Sequence, residues 1–527
     1  MHTYLKPASH SPARDAVHLI DPADTVAVAL RQLEPGETVS LGRGEARLPG
    51  DYGDSGDSSR DILHVRELIP RGHKVALCRI AAGNAVLKYG WPIGQARCDI
   101  EPGSLVHSEN LTTQLTGLNQ YEYQPAAPLG SPVSPLADSL EFMGYRRRNG
   151  RVGTRNEIWV ITTVGCVTRT AQRIARLGSE RFAGRVDGIH ALTHPFGCSQ
   201  LGDDLAHTRK ILASLIAHPN AGGVLVVGLG CESNQLGKLL AEVGEYDPAR
   251  IRSFSAQASE DEMEEGLAAL EALVEIVECD ERESCPLASL AIGLKCGGSD
   301  GFSGITANPL VGRIADRLSA AGGTPILTEI PEVFGAEQLL MRRAVNAGVF
   351  AGVVSVVNNF KQYFLDHGQP IYENPSPGNI AGGITTLEEK SLGAVQKGGR
   401  APVSQVLLYG ERASKPGLAL LEAPGNDAVS STALVAAGAT ILLFTTGRGT
   451  PLGFPVPTLK IASNSALAQK KPRWIDFDAG QVLAGTSMDV AAARLMELII
   501  DTASGKAARN ELNDEREIAI WKTGVTL

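Results

Sequence analysis

Four cysteines share one local setting, each beside a glycine after a short apolar run. They are Cys166, Cys198, Cys231 and Cys296. If the apolar runs are parallel neighbouring strands, all four thiols open toward one edge of a sheet, where α/β proteins build ligand sites. A single free cysteine is more often a core residue, so the recurrence is the signal. Iron and zinc accept thiolate ligands readily, and the pattern therefore predicts a metal centre.

Other cysteine chemistry is less favoured by the spacing. The intervals between the cysteines are long and irregular and contain no CxxC pair, which excludes a zinc ribbon. A nucleophilic cysteine is the competing hypothesis, because His194 lies four residues before Cys198. That separation does not by itself form a thiolate–imidazole pair. Cys279 and Cys285 lie in a polar connection and are interpreted as incidental.

The loop that begins at Cys296 carries several candidate ligand-binding side chains. Ser299, Asp300 and Asn308 stand among glycines between the apolar run 290–294 and an amphipathic segment. A strand, a glycine-rich polar loop and a helix in this order are typical of sites at the carboxyl ends of strands. Glycines there let the backbone approach a ligand closely. The alternative is a tight turn with a buried thiol.

A second candidate loop, 445–451, follows the apolar run 439–445. It places Arg448 between two glycines with threonines on either side, an arrangement typical of an anion cradle for a carboxylate or phosphate. An ordinary turn with an exposed arginine is the alternative. Neither a GxGxxG nor a Walker A pattern follows a strand, so nucleotide binding is not expected.

The stretch 18–112 is predicted to form a small β domain. Short apolar runs alternate with glycine and proline throughout it, as small β domains show. Polar residues stand among these runs at His73-Lys74, at Lys88-Tyr89-Gly90 and at His107. Singly, each is more typical of a surface or hydrogen-bonded residue, but together they would present a polar edge to an acidic substrate.

The length and punctuation of the chain indicate several domains. At 527 residues it exceeds what one hydrophobic core holds. Four prolines indicate a semi-extended linker, and α/β patterns begin near residues 142 and 402. The predicted fold is multidomain α/β, with a small β domain followed by two α/β domains with mainly parallel sheets. The expected boundaries are 1–121 for the β domain, 122–141 for the linker, and 142–400 and 401–527 for the α/β domains.

Two amphipathic helices are marked by acidic first turns, which favour the helix dipole. One opens at Asp203 and Asp204, with leucines and isoleucines at helical spacing behind them. The other is expected over 261–276.

Charge and hydropathy exclude several classes of partner. The net charge of −9 argues against nucleic-acid binding, which needs a basic surface. No apolar stretch reaches the roughly 18 residues of a membrane span. Residues 1–18 lack the apolar segment of a signal peptide, and eight cysteines in such a chain indicate thiols or ligands, not disulfides. A cytoplasmic location is expected.

Eight motifs, in order along nearly the whole chain, resemble one enzyme family. They are RGHKVAL (71–77), KYGWPIG (88–94), GTRNE (153–157), GCSQLGDD (197–204), GLGCE (228–232), CGGSD (296–300), NPSPGN (374–379) and TGRGTP (446–451). On these motifs the chain is similar to the altronate dehydratase/galactarate dehydratase family of sugar-acid lyases. The segments VHSEN (106–110) and NDEREIAI (513–520) resemble its altronate branch.

The resemblance implies a fold, a cofactor and a reaction. It implies an N-terminal SAF domain of the β-clip type and dependence on ferrous iron. Mn2+ is the alternative ion, and an iron–sulfur cluster held by all four cysteines is the alternative to a single ion. It implies dehydration of D-altronate, a small-molecule sugar acid, to 2-dehydro-3-deoxy-D-gluconate. A homo-oligomer without membrane or nucleic-acid partners is expected.

The hypothetical mechanism assigns roles to these residues. Iron held by some or all of the four cysteines would bind the substrate carboxylate and a hydroxyl, a base would take the C2 proton, and the C3 hydroxyl would leave as water. The acid–base candidates are His194, Glu232 and Asp300. The substrate-binding candidates are Arg448, Asn308, Ser376, Asn379, Ser299, His73 and Lys88.

The sequence departs from the family pattern at two positions. Ile380 stands where the family usually shows a lysine, and Ala394 stands where the altronate branch usually has a cysteine. The second departure argues against an essential ligand at residue 394. The first leaves two alternatives open, which are a lyase for galactarate or another 2-hydroxy acid and an inactive sugar-acid-binding protein.

Overall fold

A computed structural model describes residues 16–41, 62–125 and 140–527. Contacts divide the chain into two compact units. Unit 1 contains Met1–Leu115 and Tyr372–Lys390, and unit 2 contains Thr116–Ile371 and Ser391–Leu527. Residues 372–390, expected within the first α/β domain, therefore pack in unit 1. Most of the predicted linker, 126–139, lies outside the described residues.

Unit 1 is built from short antiparallel strands. One sheet has the strand order Val17–His18, Val26–Ala29, Lys74–Ala76, Leu105–Val106. A two-stranded sheet pairs Thr38–Ser40 with Ile62–His64. Another sheet has the strand order Ala85–Lys88, Trp91–Ala96, Leu111–Thr112. The core beneath the first sheets contains Leu33, Ile69 and Val75. The predicted small β domain is confirmed. Its discontinuous part adds the helix Pro377–Ala381 and the start of the helix Leu387–Ala394.

Unit 2 contains a four-stranded parallel sheet, here the second-domain sheet. Its strand order is Ile189–Leu192, Glu157–Thr162, Ala221–Gly228, Ile251–Ser255. The two central strands are buried along almost their whole length, which is why they read as continuous apolar runs in the sequence.

A second parallel sheet in unit 2, here the C-terminal sheet, has seven strands among the described residues. Their order is Val403–Leu407, Leu418–Leu421, Thr324–Leu327, Ala291–Cys296, Ile441–Thr446, Thr458–Ala462, Phe477–Asp478. Trp159 and Val226 of the second-domain sheet share one hydrophobic core with Leu442 and Phe444 of the C-terminal sheet. The predicted parallel α/β architecture is confirmed.

Helices follow the parallel strands, as crossover connections require. In unit 2 they are Thr168–Arg181, Gly202–Ile216, Leu236–Glu242, Glu262–Val277, Ala307–Ala320, Glu337–Met341, Ala347–Asp366, Asp427–Ala436, Ser465–Lys470, Met488–Ala503 and Arg509–Leu512. Both helices predicted from acidic first turns are present. Asp261 caps one of them by accepting hydrogen bonds from the amides of Met263 and Glu264.

A small antiparallel sheet completes unit 2, in the order Val152–Gly153, Glu141–Arg146, Glu283–Pro286. Cys285 lies in its last strand and is buried, so the polar connection expected around it is partly a strand. None of the helices in the described ranges is both long and apolar enough to cross a membrane.

Candidate active site

The described residues bring one group of metal-ligand side chains together, at the middle of the C-terminal sheet. Cys296 ends its strand, and Glu329 and Glu332 follow the neighbouring strand Thr324–Leu327. One ligand atom from each of the three lies within 4.8 Å of the other two, and all three residues are buried. The thiol of Cys296 contacts a carboxylate oxygen of Glu332 at 3.4 Å and one of Glu329 at 3.6 Å.

Two buried lysines balance the charge of this group. Lys397 donates from Nζ to Sγ of Cys296 at 2.8 Å and to Oε2 of Glu329 at 3.0 Å. Lys295 donates to the other oxygen of Glu329 and to Oδ1 of Asp427. We call Cys296, Glu329, Glu332, Lys295 and Lys397 the Cys296 cluster. A buried carboxylate is tolerated here because charged donors surround it.

The backbone of Glu329 is strained. Its φ of +70° and ψ of +57° lie in the left-handed region, which costs a non-glycine residue about 1–3 kcal/mol and is common at functional sites. The amide of Cys296 donates to Oε2 of Glu329 at 3.1 Å. Together with the two ammonium groups, this contact fixes the carboxylate in place.

Burial and charge shift the protonation of the cluster. Burial, followed by the nearby Glu329 carboxylate, raises the pKa of the Cys296 thiol to about 12. Burial alone would lower the pKa of Lys295 and Lys397, but the adjacent acidic groups outweigh it and raise both pKa values. At neutral pH the cluster therefore contains a thiol and two ammonium groups.

Asp427 lies at the accessible side of the cluster. Its side chain is 37% exposed, compared with 1% for Glu329. It begins the helix Asp427–Ala436, and a Cβ added at Gly297 would lie 2.6 Å from its Oδ2 atom. The carboxylate thus faces the glycine loop that follows Cys296.

Arg448 also lies beside this loop. A Cβ added at Gly298 would lie 3.5 Å from the Cβ of Arg448 and 3.4 Å from Oγ1 of Thr446. Gly298 has a φ of +63°, so a glycine is favoured there for its conformation and for the close approach of the two loops. The predicted anion-binding arginine is exposed at the edge of the sheet that carries Cys296.

Asp300, a predicted acid–base residue, holds two loops together. Its Oδ1 atom accepts hydrogen bonds from Ser303 and from the hydroxyl of Ser463 at 2.8 Å, and its Oδ2 atom accepts from Asn464 at 3.0 Å. These donors occupy both oxygens and fix the two loops to each other, and the catalytic role of Asp300 stays a prediction.

Asn308 and Ser299, both predicted to bind substrate, are buried. Asn308 donates to the carbonyl of Gly393 at 3.0 Å and accepts from the hydroxyl of Thr445 at 2.6 Å. This amide joins the strand beside Cys296 to a distant segment of unit 2. Its contacts support a structural role.

The other three predicted metal ligands lie on loops of the second-domain sheet. Cys166, Cys198 and Cys231 follow three adjacent strands of that sheet and are exposed. The strand that ends in Cys296 belongs to the C-terminal sheet. The expectation that all four thiols open toward one edge of a single sheet is therefore wrong, because the chain builds two sheets.

His194 is buried, and both its ring nitrogens contact the backbone. Nε2 lies 2.9 Å from the carbonyl of Thr162, and Nδ1 accepts from the amide of Phe196 at 3.1 Å. Burial lowers the pKa of His194 to about 4. A neutral imidazole held on both sides shapes its loop, and the acid–base role of His194 stays a prediction.

Glu232 is held in a similar way. Its Oε1 atom accepts from the hydroxyl of Thr163 at 2.6 Å and from the amide of Leu229, and Oε2 accepts from the amide of Gly230. Burial by itself raises the pKa of Glu232, but these hydrogen bonds outweigh it and lower the pKa. The carboxylate stays ionised and closes its own loop.

In unit 1, Lys88 forms a buried ion-pair triad. Lys88 and Lys74 donate to the two oxygens of Glu389 at 2.7 and 2.8 Å, and all three side chains are at most 1% exposed. Burial by itself raises the pKa of Glu389, but the two lysines lower it to about 2. These contacts give Lys88 a role in the folding of unit 1, and its predicted contact with substrate stays a prediction.

The remaining predicted binding residues also lie in unit 1. His73 stacks on His107 with ring centroids 5.4 Å apart. Ser376 donates from Oγ to Oδ1 of Asn379 at 2.9 Å, and Lys390 donates to the same oxygen at 3.1 Å. The predicted binding residues are thus divided between the two units.

Sequence reasoning missed most of the Cys296 cluster. It identified Cys296 but gave no role to Glu329, Glu332, Lys295 or Lys397. One signal was present, because Glu329 and Glu332 directly follow a strand-like run. Lys295 gave a weaker one, as a charged residue inside a buried strand.

Comparison with known families assigns the whole architecture. Residues 15–114 match the altronate/galactarate dehydratase SAF domain. Residues 144–278 match the second domain of D-galactarate dehydratase/altronate hydrolase, and residues 287–526 match the C-terminal part of D-galactarate/altronate dehydratase. The chain belongs to the altronate/galactarate dehydratase family of lyases.

Individual relatives are similar over nearly their full length. An altronate dehydratase of Escherichia coli K12 is 50% identical over 506 residues, covering 96% of this chain and 98% of the relative. One of Bacillus subtilis 168 is 47% identical over 511 residues, with the same coverage of both chains. The galactarate dehydratase (L-threo-forming) of Escherichia coli K12 is 35% identical, covering 85% of this chain and 88% of the relative.

Proposed function

We propose that this chain dehydrates D-altronate to 2-dehydro-3-deoxy-D-gluconate. The near-full-length similarity to two altronate dehydratases carries the proposal. The Cys296 cluster supports it, because a buried set of acidic and cationic groups beside an exposed arginine suits proton abstraction next to a carboxylate. The substrate is accordingly a small sugar acid.

Cys296, Glu329 and Glu332 form a donor set that fits a divalent cation. One sulfur and two carboxylate oxygens within 4.8 Å suit Fe2+, with Mn2+ as the alternative. Lys397 contacts two of these donors, so binding of an ion requires its ammonium to move away from them. When bound, the ion supplies Lewis-acid polarisation of the substrate carboxylate, which acidifies the C2 proton.

We assign the proton transfers to Asp427 and Lys397. Asp427 is the accessible carboxylate beside the cluster, and Lys295 orients it through Oδ1, so Asp427 takes the C2 proton. Lys397 carries a proton at neutral pH and gives it to the C3 hydroxyl, which leaves as water. The electrons of the C2–H bond form the C2–C3 double bond, and the resulting enol tautomerises to the keto acid.

Arg448 is the proposed partner of the substrate carboxylate. A guanidinium group binds a carboxylate through two parallel hydrogen bonds. Arg448 is exposed beside Gly298, in the loop that leads away from Cys296. This position puts the bound carboxylate and the proton-transfer groups at one end of the C-terminal sheet.

A second candidate substrate is galactarate. It is supported by the similarity to a galactarate dehydratase. Ile380 stands where the family usually shows a lysine, and this departure favours neither acid. In unit 1 the backbone carbonyl of Ile380 contacts Nε2 of His107 at 3.2 Å.

The test is an anaerobic assay with ferrous iron and a panel of aldonates and aldarates, following formation of 2-keto-3-deoxy acids. We expect D-altronate to give the highest kcat/KM and a strong chelator to remove activity. Turnover of galactarate alone would transfer the proposal to the second substrate. Binding without turnover of any sugar acid would overturn both and support an inactive sugar-acid-binding protein.

The proton-transfer assignment has a matched test. Asp427→Asn removes the proposed base, and we expect kcat to fall by about 100-fold or more. Asp489→Asn changes another accessible aspartate in the first turn of a helix and should leave kcat unchanged. Equal activity of the two variants would remove Asp427 from the mechanism.

A further inference from the structure

Three exposed cysteines lie at one end of the second-domain sheet. Cys166, Cys198 and Cys231 follow the strands Glu157–Thr162, Ile189–Leu192 and Ala221–Gly228. The first of these strands pairs in parallel with each of the other two. The three cysteine loops therefore leave the same edge of the sheet side by side.

Hydrogen bonds tie the three loops to one another. The amide of Gly165 donates to the carbonyl of Phe196 at 2.9 Å, and the amide of Asn234 donates to the carbonyl of Gly197 at 2.8 Å. The side chain of Asn234 donates to the carbonyl of Thr163 at 3.1 Å. Each cysteine loop is thus fixed to a neighbouring cysteine loop, independently of the cysteine side chains.

Close packing and local strain support this arrangement. Gly197 has a φ of +100°, and a Cβ there would lie 2.1 Å from the carbonyl oxygen of Thr163. Ser199, directly after Cys198, has a φ of +58°, a costly conformation for a residue with a side chain. The structure holds the Cys198 loop in a demanding conformation while leaving its thiol exposed.

The neighbouring nitrogen and oxygen ligands are already engaged. Both ring nitrogens of His194 contact the loop backbone, and both oxygens of Glu232 accept hydrogen bonds from its own loop and Thr163. The three cysteines are therefore the candidate donors that remain on these loops, and all three offer sulfur. Soft thiolate ligands select iron–sulfur clusters, zinc or Cu(I).

The three loop thiols do not form a close-packed ligand group of the kind found at Cys296. Among the described residues, Cys296 and its two glutamates are the one group with three ligand atoms within 4.8 Å of one another. At least two of the three loop sulfurs are therefore more than 4.8 Å apart. An iron–sulfur cluster has several irons, so its cysteine ligands stand further apart than the ligands of one ion.

We propose that Cys166, Cys198 and Cys231 ligate an iron–sulfur cluster, separate from the metal-ligand group at Cys296. Each thiol loses a proton and forms one iron–sulfur bond, so assembly requires iron and sulfide and no change of oxidation state in the protein. Such clusters commonly take four cysteine ligands. Three leave one iron without a cysteine, open to an oxygen ligand such as a carboxylate or hydroxyl.

The test is spectroscopic and uses the full chain purified without oxygen. We expect acid-labile sulfide, broad visible absorption and an electron paramagnetic resonance signal in one of the accessible oxidation states. Cys166→Ser, Cys198→Ser and Cys231→Ser should each lower the sulfide content and absorbance several-fold. The matched control is Cys279→Ser, which changes an exposed cysteine outside these loops and should match the unaltered chain.

A second readout does not depend on variants. Reconstitution of the metal-free chain with iron and sulfide should protect these three cysteines from alkylation while Cys279 stays reactive, as measured by peptide mass spectrometry. Binding of iron or zinc without sulfide, or unchanged spectra in all three variants, would overturn the proposal. The proposal does not depend on altronate turnover. A chain that is inactive but holds the iron–sulfur cluster would support the proposal, and a chain that is active but contains no sulfide would overturn it.

Discussion

At the scale of single residues, the Cys296 cluster concentrates charge in the core of unit 2. Glu329 has ammonium groups on both oxygens and a left-handed backbone. Strain of this kind persists only where surrounding contacts over-determine the conformation. The contacts to Lys295, Lys397 and the amide of Cys296 meet that condition.

Glu329→Gln is expected to damage both stability and activity. The change leaves two buried ammonium groups facing a neutral amide, and breaking a buried pair costs about 3–5 kcal/mol. Chemical denaturation and kcat should both report the loss. Glu278→Gln removes a carboxylate from an exposed pair with Arg185 and should change neither. Wild-type stability of Glu329→Gln would show that the cluster is not a charge-balanced core.

Iron binding at Cys296 is expected to release a proton. Because the pKa of this thiol is about 12, it is protonated at neutral pH, and coordination requires the thiolate. Affinity for Fe2+ should therefore rise with pH. Calorimetry in buffers of different ionisation enthalpy measures the proton count, and Cys296→Ala should abolish the tight site. An affinity for Fe2+ that does not change with pH would exclude thiolate coordination.

At the scale of elements, the helix Gly202–Ile216 is joined to the last residues of the chain. Asp204 accepts from the amides of Thr523 and Gly524 at 2.7 and 2.9 Å, and the amide of Leu527 donates to the carbonyl of Ser199 at 2.9 Å. The acidic first turn was predicted only to favour the helix dipole. Asp204 in that turn also anchors residues 523 and 524, more than 300 residues further along the chain. The same contacts brace the Cys198 loop.

Asp204→Asn should loosen this anchor, whereas Asp203→Asn, at the exposed neighbouring position, should not. The backbone amides of residues 523–524 and the loop 196–200 should exchange with deuterium faster in the first variant. Burial tends to raise the pKa of Asp204, but the amide hydrogen bonds lower it overall. The stabilisation is therefore present above the ordinary aspartate pKa and lost as pH falls below it. Equal exchange in both variants would contradict the anchor.

At the scale of the whole molecule, unit 1 is discontinuous in sequence. Lys74 and Lys88 lie in its β-sheets, whereas Glu389 is 315 and 301 residues further along the chain. A buried carboxylate between two buried lysines joins the segments. Such a triad contributes little net stability when intact but is costly to break.

Glu389→Gln is expected to destabilise unit 1 by about 3–5 kcal/mol, and Glu373→Gln, an exposed change in the same segment, should have no effect. The pKa of Glu389 is about 2 in the folded chain and 4.5 as its ordinary value. Its contribution is therefore complete above pH 4.5 and is lost as pH falls toward 2. Burial lowers the pKa of Lys74 to about 8, so Lys74 loses its charge, and with it the ion pair to Glu389, as pH rises through that value. Denaturation curves at several pH values measure it, and a variant as stable as the control at neutral pH would refute the role.

The local sequence pattern was sufficient to predict the strands and helices and to identify the family. The apolar runs before Cys166, Cys231 and Cys296 are strands, and the acidic turn at Asp203 begins a helix. Burial of a strand and the effect of acidic residues on a helix dipole both act over a few residues. The motifs identified the family, since they span the chain in order.

Only the tertiary structure decided which side chains, distant in sequence, contact one another. Cys296 meets Glu329, Glu332 and Lys397 because its strand lies beside Thr324–Leu327 in the C-terminal sheet, and strand order cannot be read from the apolar pattern of one strand. The same pattern precedes Cys166 in a different sheet. The sequence by itself determined which residues stand at strand ends, and sheet topology determined which of them meet.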